Sequence, residues 1–122
     1  MIQLISGVNY LHMMGYIHRD IKPENVCIDD EGNCKIIDFG ISKSFTIGKK
    51  FKSSIGTPFY MAPEVANNQK YNQLTDVWGL GIIMFMIITG KSPYNGQKNN
   101  LIIEKVRKGA YNKDILKNEN YS

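Results

Sequence analysis

The sequence holds little from which a disulfide framework, a membrane span or a nucleic-acid surface could be built. Its only cysteines are Cys27 and Cys34. Two thiols make no framework and lack metal-ligand spacing, which suits a reducing compartment, cytoplasmic or nuclear. The most apolar run, Val77 to Ile88, is 12 residues long and contains two glycines. A span needs about 20 residues, so a core helix is expected there and no membrane partner. No basic-then-apolar leader opens the chain, so no secretory signal is expected. Arginine is scarce, two against thirteen lysines, and the +4 net charge is scattered. Without a dense basic stripe interleaved with aromatics, no nucleic-acid partner is expected. Internal repeats and low-complexity segments are also absent.

What remains is an ordinary globular composition, 43% hydrophobic and 21% charged, with 122 residues allowing one domain at most. Leu4, Ile5, Val8, Leu11 and His12 recur at helical spacing. They predict a helix over residues 1–15, stopped by Gly15 and opened by no cap residue. Val26-Cys27-Ile28 and Cys34-Lys35-Ile36-Ile37 are short apolar strands around the turn residues Asp29 to Asn33, a hairpin. Residues 41–57 are polar and aperiodic, a surface loop, and Pro58 to Pro63 restore order. Thr75 is expected to cap a helix over 75–89, with Asp76 in its first turn and Gly90 and Pro93 ending it. That helix is apolar nearly all round and must lie inside other structure. A last amphipathic helix spans 100–108, with Leu101, Ile102 and Val106 inward and Gly109 closing it. From Ala110 onward the polar tail predicts no element.

Chemistry concentrates between the first helix and the hairpin. His18-Arg19-Asp20-Ile21-Lys22-Pro23-Glu24-Asn25 places a carboxylate, an amine and an amide within six residues, and Asp38-Phe39-Gly40 follows thirteen residues after Asn25. Each residue alone has a bland reading: an Asp after Arg is usually a surface ion pair, and Asp-Phe-Gly a common turn. Asn25 and Asp38 offer hard oxygens of the kind that hold Mg²⁺ against nucleotide phosphates. Pro23, with its fixed φ, stiffens the loop between Lys22 and Asn25.

Both motifs, at this spacing, resemble the catalytic loop and metal-binding triplet of eukaryotic protein kinases, a signature long defined for that family. Lys22, two residues after Asp20, makes the chain similar to the Ser/Thr type. The likeness continues through Gly56-Thr57-Pro58-Phe59-Tyr60-Met61-Ala62-Pro63-Glu64, which resembles the end of an activation segment (38–64 in all), and through Asp76-Val77-Trp78-Gly79-Leu80-Gly81 at the start of a buried central helix. It covers Leu4 to about Tyr111. The activation segment, with Lys50-Phe51-Lys52 before Ile55, and Tyr94-Asn95-Gly96 are most similar to calcium/calmodulin-dependent and calcium-dependent protein kinases. No EF-hand loop accompanies them.

The resemblance implies a mainly α, α+β fold: a kinase-like C-terminal lobe with helices and a small β-hairpin. It implies a protein serine/threonine kinase using ATP and Mg²⁺ on protein Ser/Thr hydroxyls. Asp20 would orient the substrate hydroxyl and take its proton. Lys22 would neutralise the transferring phosphate, its pairing with Asp20 mediated by that phosphate. Thr57 would sit against both, and Asn25 and Asp38 would hold the metal. Cys27 would lie beneath the adenine, and Glu24 would favour basic substrate residues. Arg19 and Ser53 would be regulatory, with a phosphate at Ser53 pairing with Arg19. His18 and Phe39 would belong to a hydrophobic spine. His12 is expected only to pack. Asp76 would bond the catalytic-loop backbone, and Gly79, where the family usually has Ser, would loosen the helix without touching the chemistry.

The family's Gly-rich loop, strand Lys and helix Glu are not found in these residues. The expectation is therefore a piece of a kinase domain spanning 1–122, its N-terminal lobe absent and its isolated activity slight. A missing N-terminal lobe or regulatory segments would be its partners. Glu64, whose family partner is an Arg far downstream, would be a buried carboxylate without its pair, since Arg107 does not match that position. The competing class is a non-catalytic kinase-like binding module. Against it, Asp20, Lys22, Asn25 and Asp38 are all retained.

Overall fold

The computed structural model describes residues 1–38, 43–44 (backbone only) and 57–117. The chain is mainly α with two small antiparallel strand pairs. Helix α1 (Ile2–Met13) leads to strand β1 (Tyr16–Ile17). After the loop come β2 (Val26–Ile28), β3 (Cys34–Ile36) and β4 (Lys43–Ser44). Four helices follow: α2 (Pro63–Ala66), α3 (Leu74–Thr89), α4 (Asn99–Arg107) and α5 (Asp114–Lys117). Among the described residues no helix is long and apolar enough to cross a membrane.

The hairpin has the expected strands, in register Val26↔Ile36, Cys27↔Lys35 and Ile28↔Cys34. Its turn is organised by one carboxylate. Asp29 accepts the backbone N–H groups of Asn33 (2.8 Å) and Glu31 (3.0 Å), and the bond from Asn33 above all holds its carboxyl below the ordinary value. β1 pairs with β4, Tyr16 opposite Ser44 and Ile17 opposite Lys43. The aperiodic stretch after residue 41 therefore contributes a strand. Two residues carry no period of their own, and the partner strand 27 positions earlier decides the matter.

Helix α3 separates two cores. Leu80 and Ile83 pack with Leu4, Val8 and Ile21, while Ile82 packs with Ile17, Val65, Tyr71, Ile102 and Val106. Facing apolar neighbours on both flanks explains why its sequence is apolar nearly all round. The expectation of full enclosure is corrected, however: Val77, Met84, Ile87 and Ile88 form a third, exposed stripe. The helix starts at Leu74, with Gln73 at the cap position and no side-chain cap bond. Thr75 is already inside it and gives its hydroxyl to the Asn72 carbonyl (2.8 Å). Gly90, at φ 67°, ends the helix as expected, its N–H bonded to the Met86 carbonyl.

Three further expectations are corrected. Ile5 and Leu101 face outward; on α1 and α4 the buried pairs are Leu4 with Val8 and Ile102 with Val106, each one turn apart. The tail beyond Ala110 is not featureless. The Asn112 N–H bonds the Pro93 carbonyl, and α5 buries Ile115. Glu64 is only half-buried, so no enclosed carboxylate lacks its pair there.

Candidate active site

The loop from His18 to Asn25 leaves β1 and is held mainly from below. The carboxylate of Asp76, in the first turn of α3, has no exposed surface and accepts the backbone N–H groups of His18 (2.9 Å) and Arg19 (2.8 Å). Arg19 sits at φ 69°, a left-handed conformation in which a long side chain is strained by about 1–2 kcal/mol. Two charge-assisted bonds at that point hold the turn. His18 is fully buried. Its Nε2 donates to the Ile37 carbonyl (2.9 Å), and its Nδ1 accepts the Asp20 N–H (3.2 Å). One ring nitrogen donates and the other accepts, so His18 is a neutral strut between the loop and the end of β3, and no proton-transfer role falls to it.

Four of the expected site residues are brought together. The Thr57 hydroxyl donates to Asp20 Oδ1 (3.0 Å), and Lys22 Nζ donates to Thr57 Oγ1 (2.9 Å). Lys22 Nζ lies 3.4 Å from Asp20 Oδ2, a direct ion pair where one mediated by phosphate was expected. The Asn25 amide donates to the Asp20 carbonyl (2.8 Å) and carboxylate (3.3 Å). This turns the Asn25 side-chain oxygen away from Asp20. Pro23 opens a 3₁₀ turn over Pro23–Asn25, which explains how three residues bring Asn25 back beneath Asp20. Ile21 anchors the loop in the core, against Gly79 of α3.

The backbone leading to Asp38 is tied to the loop by a separate bond. The Ile37 N–H bonds the Asn25 carbonyl (2.9 Å), which sets the end of β3 beside the loop, and Asp38 follows at φ 60°. Among the described residues no group of three His, Cys, Asp or Glu could enclose a metal ion. Asn25 and Asp38 offer a side-chain oxygen each. Such a pair fits Mg²⁺, which keeps waters and takes phosphate oxygens from its substrate.

The remaining expected residues are peripheral. Cys27 on β2 and Glu24 on the 3₁₀ turn are exposed. Glu24 bears on Tyr60, whose hydroxyl is pushed above its ordinary pKa by burial and then by that carboxylate. Arg19 gives a guanidinium N–H to the hydroxyl of buried Tyr71 (3.2 Å). Trp78 stacks on Tyr94 at 6.2 Å, a packing role as expected. Ser53, Phe39 and Gly40 lie outside the described residues.

Two contacts escape the sequence reading. His12 Nε2 lies 2.8 Å from Asp76 Oδ2, so it is more than a packed residue. Its spacing of four from Val8 marks it as inward-facing, but its partner lies 64 positions away. Gly79 does touch the loop: a side-chain carbon there would meet the Ile21 carbonyl oxygen at 2.8 Å.

The model of the protein kinase domain family matches residues 1–121. A calcium-dependent protein kinase 4 of Plasmodium falciparum is 38% identical over 117 residues, 93% of this chain and 22% of that protein. An SNF1-related protein kinase catalytic subunit alpha of Arabidopsis thaliana is 40% identical over 109 residues, 89% of this chain and 22% of that protein. A probable myosin light chain kinase of Dictyostelium discoideum is 41% identical over 112 residues, 89% and 32%. The chain thus spans less than a third of the length of these relatives.

Proposed function

The chain belongs to the protein kinase family, and we propose that it supplies the catalytic-loop half of an ATP-dependent serine/threonine kinase site. The observation that carries the proposal is the cluster of Asp20, Lys22, Asn25 and Thr57, held together by four hydrogen bonds and an ion pair. Phosphoryl transfer asks a protein mainly for positioning and charge neutralisation, and the cluster offers both.

When bound, Mg·ATP supplies the phosphoryl group and spreads its charge; Asn25 and Asp38 are the residues that would hold the metal. The residues of this chain do the rest. Asp20 Oδ1 already accepts one hydroxyl hydrogen bond, from Thr57, and accepts a substrate hydroxyl in the same manner, orienting it and taking its proton. Lys22 places an ammonium within reach of the reacting centre and answers charge that develops there. The Lys22–Thr57–Asp20 chain of contacts supports Ser/Thr over Tyr substrates. The likeness to a calcium-dependent protein kinase supports the calcium/calmodulin-dependent-like grouping. Glu24, exposed beside the loop, favours basic substrate residues, and Cys27, exposed on β2, would lie beneath the adenine. Protein substrates and regulatory segments are the proposed partners, and a reducing cytoplasmic or nuclear compartment the proposed setting. Without a Gly-rich loop and strand Lys among these 122 residues, phosphotransfer by this polypeptide alone is slight.

A paramagnetic titration tests the reading. Mn²⁺ with ATP should broaden the amide resonances of Asn25 and Asp38 first, and Asp38→Asn should abolish the effect while leaving the fold intact. Broadening spread evenly over the surface, or indifferent to Asp38→Asn, sinks the nucleotide site and leaves the binding-module reading. Robust transfer to a Ser/Thr peptide, lost in Asp20→Asn, would overturn only the statement that this polypeptide alone is nearly inactive.

A further inference from the structure

We infer that Arg107 of α4 is a positioning residue for the segment that brings Thr57 to Asp20 and Lys22, acting through α2. What that segment serves rests on the kinase reading above; the geometry does not. Helix α2 is four residues long and ends inside the protein, Val65 and Ala66 each 2% exposed, so its carbonyl oxygens need donors. Three find theirs just ahead in the chain. Pro63 accepts the Asn67 N–H (2.9 Å), Val65 that of Asn68 (3.0 Å) and Glu64 that of Gln69 (2.8 Å). The fourth, Ala66, accepts the Nε–H of Arg107, 41 positions away (2.5 Å). A buried carbonyl left without a donor is costly, and a guanidinium donor makes this bond charge-assisted. The arginine that does not match the family partner of Glu64 thus holds the other end of the same helix.

The remaining hold on α2 is apolar. Met61, Ala62, Val65 and Ala66 share a core with Ile102 and Val106 of α4. Apolar contact is non-directional and tolerates a slide of one element along another; a hydrogen bond of fixed direction at the end of α2 does not. Val106 is fully buried, so the backbone that carries Arg107 is itself fixed. Toward the N-terminus the segment has little slack. Pro63 opens α2, Met61 and Ala62 are extended, and in the 3₁₀ turn Pro58–Tyr60 the Tyr60 N–H bonds the Thr57 carbonyl (2.9 Å). Pro58 and Pro63 fix φ within this stretch. A shift of α2 is therefore passed to Thr57, whose hydroxyl stands 3.0 Å from Asp20 Oδ1 and 2.9 Å from Lys22 Nζ.

Arg107→Met keeps the stem and removes the donor, and Arg107→Lys returns a single donor at similar reach. Amide exchange of the ¹³C,¹⁵N-labelled chain, together with the Lys22 ammonium and Thr57 methyl resonances, tests the assignment. Val8 and Ile83, in the other core, are the reference amides. In Arg107→Met, exchange at Asn67, Asn68 and Gln69 should quicken by about ten-fold or more, with the references within about two-fold. The Lys22 and Thr57 resonances should shift in the same variant, and Arg107→Lys should restore most of both effects. Faster exchange at 67–69 with Lys22 and Thr57 unmoved makes Arg107 a local staple of α2 and overturns the assignment. No change at 67–69, equal acceleration everywhere, or no rescue by Arg107→Lys overturns it as well. Should Arg107→Met not fold, the wild-type side chain decides. A slowly exchanging Arg107 Nε–H supports the role, and one exchanging as fast as in the urea-unfolded chain overturns it. None of these readouts needs nucleotide or phosphotransfer, so the kinase reading can fail without touching them.

Discussion

The close approach of Gly79 to Ile21 allows a test with an internal control on the same helix. A Cβ added at Gly79 would stand 2.8 Å from the Ile21 carbonyl oxygen and 3.0 Å from the Ile21 Cβ. Neither is the far end of a flexible side chain. Both belong to the loop that carries Asp20 and Lys22, and Ile21 is itself buried. A void of about 10 Å³ adjoins Gly79, room for at most one water, but the added carbon points at Ile21. A Cβ at Gly81, two residues on, meets nothing within 4 Å. Both glycines lie inside α3, so alanine gains the same helical term at each, about 0.5–1 kcal/mol. That term cancels in the comparison, leaving an overpacking cost of about 1–3 kcal/mol for Gly79→Ala. At about 4 °C per kcal/mol for a chain this size, the two variants should melt about 4–12 °C apart, with Gly81→Ala above wild type. Thermal denaturation by circular dichroism measures the gap. Chemical-shift changes at Asp20 and Lys22 should accompany Gly79→Ala and be absent from Gly81→Ala. If Gly79→Ala melts at or above Gly81→Ala, helix and loop are not in the contact described and the reasoning fails.

Asp76→Ala leaves the buried His18 and Arg19 N–H groups without their acceptor, and urea denaturation should show a loss of about 3 kcal/mol or more. Ile102, 1% exposed in the second core, should cost about 2–5 kcal/mol as alanine, seen as a lower midpoint at unchanged slope. Tyr60 and Tyr94 are both held above the ordinary 10.0, by burial first and then by Glu24 and Tyr111 respectively. Unfolded tyrosines release their protons first as pH rises, so stability from these two groups is intact below about 10 and declines above it. Tyr60→Phe should make that alkaline decline shallower; a stability that rises above pH 10 would contradict the burial described. Asp29→Ala removes the acceptor that closes the hairpin turn, and exchange of the Glu31 and Asn33 amides should quicken while α4 stays protected.

The hairpin, the central helix and the loop that precedes the hairpin could be read from residues because each rests on local chemistry: turn residues between apolar strands, glycine after a periodic run, proline at a turn start. The site's chemical inventory was legible for a similar reason. Asp20, Lys22 and Asn25 lie within six positions, a separation over which a stiff loop has few arrangements. What the residues alone did not settle depends on distance along the chain. Strand β4 exists because β1 offers its backbone 27 positions earlier. Ile5 and Leu101 turn outward because their helices meet the core through neighbouring faces, and a helix pattern records which residues share a face, not how far a neighbour reaches. The direct Lys22–Asp20 contact, with Thr57 bridging from 35 residues on, is a property of tertiary approach. So are His12 against Asp76 and Gly79 against Ile21. Sequence determined which groups are present and which short segments they belong to. Only the folded chain decided which backbone each group holds, because a hydrogen bond or a steric contact depends on ångströms of approach that no local pattern encodes.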